Sequence, residues 1–222
     1  MYLIIIPIIL VIACYFWGFF NARGRESYIR TFNLPQGLYR RLSKHHPNLT
    51  TAQFHLVSES LRQFFLIHLR SGRKLVAMPS QVTDDLWHEF ILYTQAYQNF
   101  CSNGFGKFLH HTPAAALSSI QKKNNVGIKR TWFHACQIEN INPRIPTQLP
   151  LIFAIDAQLN IANGFHYVTD CKKAGLTGNK GSNGAVYCGG DFASSSGCDG
   201  STSGCTGDGD SGCGGGCGGG GD

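Results

Sequence analysis

No charged residue falls between Leu3 and Phe20, and almost every residue in that run is apolar. A stretch this apolar at a chain terminus is out of place as a core helix. No Lys or Arg precedes it and no A-x-A-like site follows it, which argues against a cleaved signal peptide. Val11-Ile12-Ala13-Cys14 resembles a lipobox, but the residues after Cys14 are aromatic rather than polar. No two of the nine cysteines stand at C-x-x-C spacing, which excludes a zinc-knuckle pattern. H-E-x-x-H is missing too: Glu89 follows His88, but Leu92 occupies the place of the second histidine. No recognisable nucleic-acid-binding module accompanies the basic residues, so nucleic acid is not an expected partner.

What is present begins with the run itself. Eighteen residues rising 1.5 Å each reach about 27 Å, near the roughly 30 Å of a bilayer's hydrocarbon core. A helix satisfies its own backbone in that environment. Tyr15, Trp17, Phe19 and Phe20 gather at the far end, as an interfacial aromatic belt does. Residues 1–22 therefore read as a single-pass transmembrane anchor that holds the membrane through residues 3–20. Arg23, Arg25 and Arg30 follow at once, so the positive-inside rule predicts the N-terminus outside and the body in the cytoplasm. All 19 Lys and Arg lie at or before Lys180 together with eight of the 13 acids, a net +11; the remainder carries −5. A collar of Arg23, Arg25, Arg30, Arg40 and Arg41 in the basic segment 23–48 would attract anionic lipid, at about 1 kcal/mol per residue near the surface. A solvated basic face with no partner accounts for the same residues.

The fold class expected is mainly α: the anchor, a small helical domain over 49–173, and a disordered low-complexity Gly/Cys/Ser/Asp tail over 174–222. A short basic helix spans Gln36 to His46 and stops at Pro47. Thr50 or Thr51 caps a longer one through Arg70, and Ser80 caps another. Val82, Leu86, Phe90, Tyr93, Tyr97 and Phe100 recur at helical spacing, which predicts one continuous helix ending near Gly104. Further helices are expected from Pro113 to Gln121, Arg130 to Glu139 and Leu151 to Leu159, and a short strand or docking segment at Gly164 to Tyr167.

Chemistry concentrates between Asp84 and Pro113. His88 lies nearly opposite the apolar stripe, with Asp84 one turn before it and Asp85 at i−3. Either carboxylate can fix the imidazole's tautomer. His110 and His111 follow after a loop and can fold back beside His88. Asp84, Asp85, His88, His110 and His111 thus form a candidate site for a divalent metal such as zinc. The structural alternative is that the acids cap the helix while the histidines dock a loop. Cys101 and Cys136 read as packed structural cysteines, and His45-His46 as a solvated helix end. If the tail is cytoplasmic, Cys188, Cys198, Cys205, Cys213 and Cys217 should be reduced thiols, suited to soft metal ions or redox sensing.

The run Pro79…Asp85-x-Trp87-His88…Tyr97…Phe100-Cys101…Phe105-Gly106-x-Phe108-x-His110-His111-x-Pro113 resembles a group of bacterial membrane-anchored proteins with Gly- and Cys-rich tails. Leu149 to Asp156 and Gly164-Phe165 resemble the same group. The Trp-His segment is distantly similar to plant glycine-rich domain proteins. The resemblance implies a bacterial plasma (inner) membrane and implies that the Trp-His/His-His core and the tail belong together; it supplies no substrate. The sequence alone favours a non-enzymatic, membrane-anchored interaction or scaffold protein. A metal-binding domain, structural or hydrolytic, and a metal- or redox-responsive tail are the alternatives.

Overall fold

A computed structural model describes residues 2–111, 126–169, 186–189 and 192. The side chains of residues 2–5, 7–15, 17, 19 and 186 lie outside that description, as does the predicted helix from Pro113 to Gln121. The chain is mainly helical. Its described elements are α1 (Tyr2–Thr31), α2 (Leu38–His45), α3 (Thr51–Arg70), α4 (Gln81–Ile91), α5 (Thr94–Phe105), α6 (Val126–Ile138) and α7 (Leu151–Gln158). Two strands, β1 (His166–Val168) and β2 (Val186–Cys188), pair in parallel with Tyr167 opposite Tyr187. Among the described residues no helix is long and apolar enough to cross a membrane. Most of the apolar run 3–20 lies outside the side chains described.

The core is built on α3. Its start carries a capping box: Thr50 accepts from the Gln53 backbone N–H, and the Gln53 side chain accepts from Thr50 N. Phe65 from its middle meets Phe100 at 4.7 Å, Phe105 at 6.0 Å and Trp87 at 6.1 Å between ring centroids. Each such ring contributes roughly 1.5–3 kcal/mol through burial alone.

The core reaches beyond the 49–173 span expected of the helical domain. Ile29 near the end of α1, and Leu38 and Leu42 of α2, are all buried in it. Arg25 of α1 and Arg73 after α3 both donate to the Phe105 carbonyl, at 2.8 and 2.7 Å. Two cations thereby sit where the dipole of α5 ends. Glu26 pairs with Arg30 at 2.7 Å and with Arg70 at 2.6 Å, tying α1 to α3.

The continuous helix predicted from Ser80 onward is two helices, broken at Leu92-Tyr93. The break turns the second half of the apolar stripe back on the first, so Phe90 meets Tyr97 at 5.2 Å and Phe100 at 5.6 Å. Helix α5 ends not at Gly104 but at Phe105, with Gly106 in the left-handed region as its C-cap.

Helix α7 begins after Pro150, which offers no side-chain cap. Glu139 accepts from Leu151 N at 2.7 Å and Gln63 from Ile152 N at 2.9 Å instead. From α7 the fully buried Asp156 reaches α4. It accepts from Ser80 Oγ and Gln81 N, both at 2.7 Å, and from Val82 N at 3.2 Å. It also accepts from Phe165 N, at 2.9 Å, just before β1.

Part of the stretch expected to be disordered is packed. Phe192 lies against Trp132, Phe153 and Tyr167, and a Cβ on Gly189 would come within 2.5 Å of the Trp132 ring. Aromatic residues at 187 and 192 supply apolar surface that the surrounding Gly/Ser composition conceals.

Removing the Asp156 carboxylate by Asp156→Ala leaves four donors without their acceptor. The expected cost is about 3 kcal/mol, read as a lowered urea midpoint of helical signal; an unchanged midpoint would contradict this role. His68 is buried beside Phe105, and burial, aided by the charges of Lys107 and Arg73, pushes its pKa down to about 4. The unfolded chain therefore binds a proton between about pH 6.5 and 4 that the folded chain refuses, and stability falls as pH drops through that window. In His68→Gln this contribution, on the order of 3 kcal/mol, should vanish from the pH dependence of the midpoint.

Candidate metal centre

Helix α4 is amphipathic in the way its spacing predicts. Val82, Leu86, Trp87 and Phe90 are buried, while Asp84, Asp85, His88 and Glu89 remain on the polar side. Ser80 caps its start through Thr83 N. Asp84 and His88, one turn apart, lie one above the other. His88 Nδ1 is 2.9 Å from the Asp84 carbonyl, which can only accept, so Nδ1 carries the proton. In the neutral ring Nε2 is then the bare nitrogen, the arrangement in which a metal-bound histidine donates its other N–H to a carbonyl.

His111 arrives from the segment after α5. Its Nε2 is 3.3 Å from Asp84 Oδ1, and its ring centroid is 4.3 Å from that of His88. One ligand atom from each of Asp84, His88 and His111 can be chosen so that all lie within 4.8 Å of one another. Bonds of about 2.0–2.1 Å in a tetrahedral zinc site set ligand atoms roughly 3.3 Å apart. The carboxylate–His111 separation already matches that spacing. Among the described residues the site meets solvent at His88, which is half-exposed, while Asp84 and His111 are mostly covered. Three protein ligands with an open position describe a site that can accept water or a ligand as the fourth.

Of the five residues expected at this site, these three converge. His110 does not join them; it is exposed and its ring lies on Phe108 at 4.7 Å. Asp85 is taken by other partners: His46 Nε2 at 2.7 Å and the Gln81 amide at 2.9 Å. His45 and His46 are therefore not merely a solvated helix end. His45 meets Glu89 at 3.1 Å, and Arg41 pairs with the same carboxylate. The Arg41 hydrogen bond, aided by His45, holds the Glu89 carboxyl below the usual range. The signal was readable in retrospect: Arg41, His45 and His46 form a basic edge of α2 that complements Asp85 and Glu89 of α4.

The cysteines divide. Cys101 and Cys136 are buried, and burial pushes both thiols up, Cys136 to about 12, so neither is a nucleophile. Cys188, expected as a reduced thiol, is disulfide-bonded, which corrects that expectation. Its place on β2 fastens it in the folded body rather than in a free tail. Cys198, Cys205, Cys213 and Cys217 lie outside the described residues. A cleft of about 320 Å³ lined by residues that include Arg30, Glu59, Arg62, Gln63 and Leu66 shares no residue with the candidate metal centre.

No curated protein matches the chain, and no solved structure does. Residues 24–192 match one protein family. The match begins just after the apolar run and ends at Phe192, the aromatic that closes the core around Trp132. On that match, which spans well over half the sequence, the chain belongs to the UCP032817-like family.

Proposed function

We propose that this protein is a membrane-anchored helical protein that binds a divalent metal such as zinc through Asp84, His88 and His111. The observation that carries the reading is the convergence of three donors from two separate chain segments, with the His88 tautomer already set by the Asp84 carbonyl. This geometry favours metal binding over the purely structural scaffold that the sequence alone suggested. The full chain purified in detergent should carry one equivalent of metal by elemental analysis. His111→Ala and Asp84→Asn should each weaken Zn²⁺ binding by more than the about 10–100-fold that loss of an outer hydrogen-bond partner costs. Wild-type protein that takes up no Zn²⁺ would sink the reading and return the scaffold role to first place.

A second reading concerns the membrane. The uncharged run 3–20, the unbroken course of α1 and the start of the family match at residue 24 all support an anchor. Its orientation is better served by the opposite of the positive-inside expectation. Arg25 and Arg30 are engaged by Phe105 and Glu26, so an internal role accounts for their positions. A disulfide at Cys188 belongs to an oxidising compartment. A His/carboxylate metal site needs no reduced thiol and suits such a compartment equally. A topology reporter fused after Asp222 should be active outside the cytoplasm; activity only inside would overturn this orientation.

A further inference from the structure

The segment that delivers His111 is held by a buried hydrogen-bond relay. Tyr97 is 1% exposed, and its hydroxyl donates to the Leu109 carbonyl at 2.6 Å. The same oxygen accepts from Trp87 Nε1 at 3.2 Å. Trp87 stands immediately before His88 on α4, and its ring meets the edge of His111 at 4.7 Å. Phe108 lies edge-on against Tyr97 at 5.3 Å, and the Leu109 side chain packs on the core. Residues 108, 109 and 111 thus each meet one member of the Trp87–Tyr97 pair, and Cys101 adds a hydrogen bond to the Leu109 backbone and another to Tyr97.

The chemistry of the pair suits this role. The phenol has one proton to give and gives it to the carbonyl two residues before His111. Burial keeps that proton on by pushing the phenol well above its ordinary range. The indole N–H can only donate, so the direction of the relay is determined: Trp87 to Tyr97 to Leu109. The indole offers no metal ligand, and the phenol oxygen is occupied by Trp87 and Leu109. A structural reason to bury a tyrosine rather than a phenylalanine here is the Leu109 carbonyl, which would otherwise be left without this donor.

We infer that Trp87 and Tyr97 are the positioning residues of the metal centre, setting the separation of His111 from Asp84 and His88. This rests on the metal reading above, and the experiment separates the two. In the full chain in detergent, Tyr97→Phe keeps the ring and removes the relay. Zn²⁺ affinity, from competition with a chelator, should fall about 10–100-fold. Amide hydrogen exchange at residues 108–111 of the metal-free protein should rise. Phe153→Leu, a core truncation in α7 remote from the relay, controls for general loss of stability and should leave Zn²⁺ affinity unchanged. Unaltered affinity in Tyr97→Phe, or an equal fall in Phe153→Leu, overturns the inference and leaves the metal site standing. If wild-type protein takes up no Zn²⁺, the metal reading fails. Exchange at 108–111 then decides the relay alone: a rise in Tyr97→Phe supports it and no change overturns it. Should Tyr97→Phe not fold, Trp87→Phe, which removes the indole donor, is judged by the same criteria.

Discussion

A single buried carboxylate organises the middle of this molecule. Asp156 belongs to α7, yet its oxygens serve the first turn of α4 and the backbone that leads into β1. A helix start leaves its first amides without internal partners, and its dipole favours negative charge there. Ser80 supplies the ordinary local cap, and Asp156 adds a distant one. The close approach is also why residue 164 is glycine: a Cβ there would come within 2.7 Å of the Asp156 Cβ. Because Asp84, Trp87 and His88 all ride on α4, the placement of the candidate site is inherited from this contact.

Helix α4 then divides its polar side between two neighbours. On one side α2 brings Arg41, His45 and His46 to Glu89 and Asp85. On the other, the segment after α5 brings His111 to Asp84. Two consecutive aspartates therefore have separate partners: Asp85 docks α2, and Asp84 meets the histidines of the candidate metal centre. The docking of α2 is close enough that a Cβ on Gly37 would displace the Tyr93 hydroxyl.

Local rules made much of this legible in advance. The Thr50 and Ser80 caps, the apolar stripe from Val82 and the Asp84–His88 pair all follow from helical spacing over a few residues. What stayed hidden depends on partners far along the chain. The break at Leu92-Tyr93 leaves the apolar period intact on both sides, so periodicity cannot reveal it; the demand comes from closing aromatic rings around Phe65. Two adjacent histidines after a loop are equivalent until Tyr97 fixes the Leu109 carbonyl and makes His111 the one that faces α4. Asp85 resembles a ligand until α2 docks. The packing of Phe192 was masked by composition, since one ring among glycines carries little weight in an average and much in a core.

The course of α1 has a mechanical consequence. One helix runs from Tyr2 to Thr31 without interruption, and its last turns are clamped by Ile29 in the core and by the pairing of Glu26 with Arg70. On the membrane reading proposed above, with residues 3–20 in a bilayer, the described backbone of α1 would run into the body without a break. Nine residues from Phe20 to Ile29 span about 14 Å. On that reading the body would stand at a set height and tilt, like a lamp on a rigid stalk, and the exposed side of the candidate site would sweep one fixed shell above the lipid surface. On the same reading, whatever meets the candidate site would have to come to that shell.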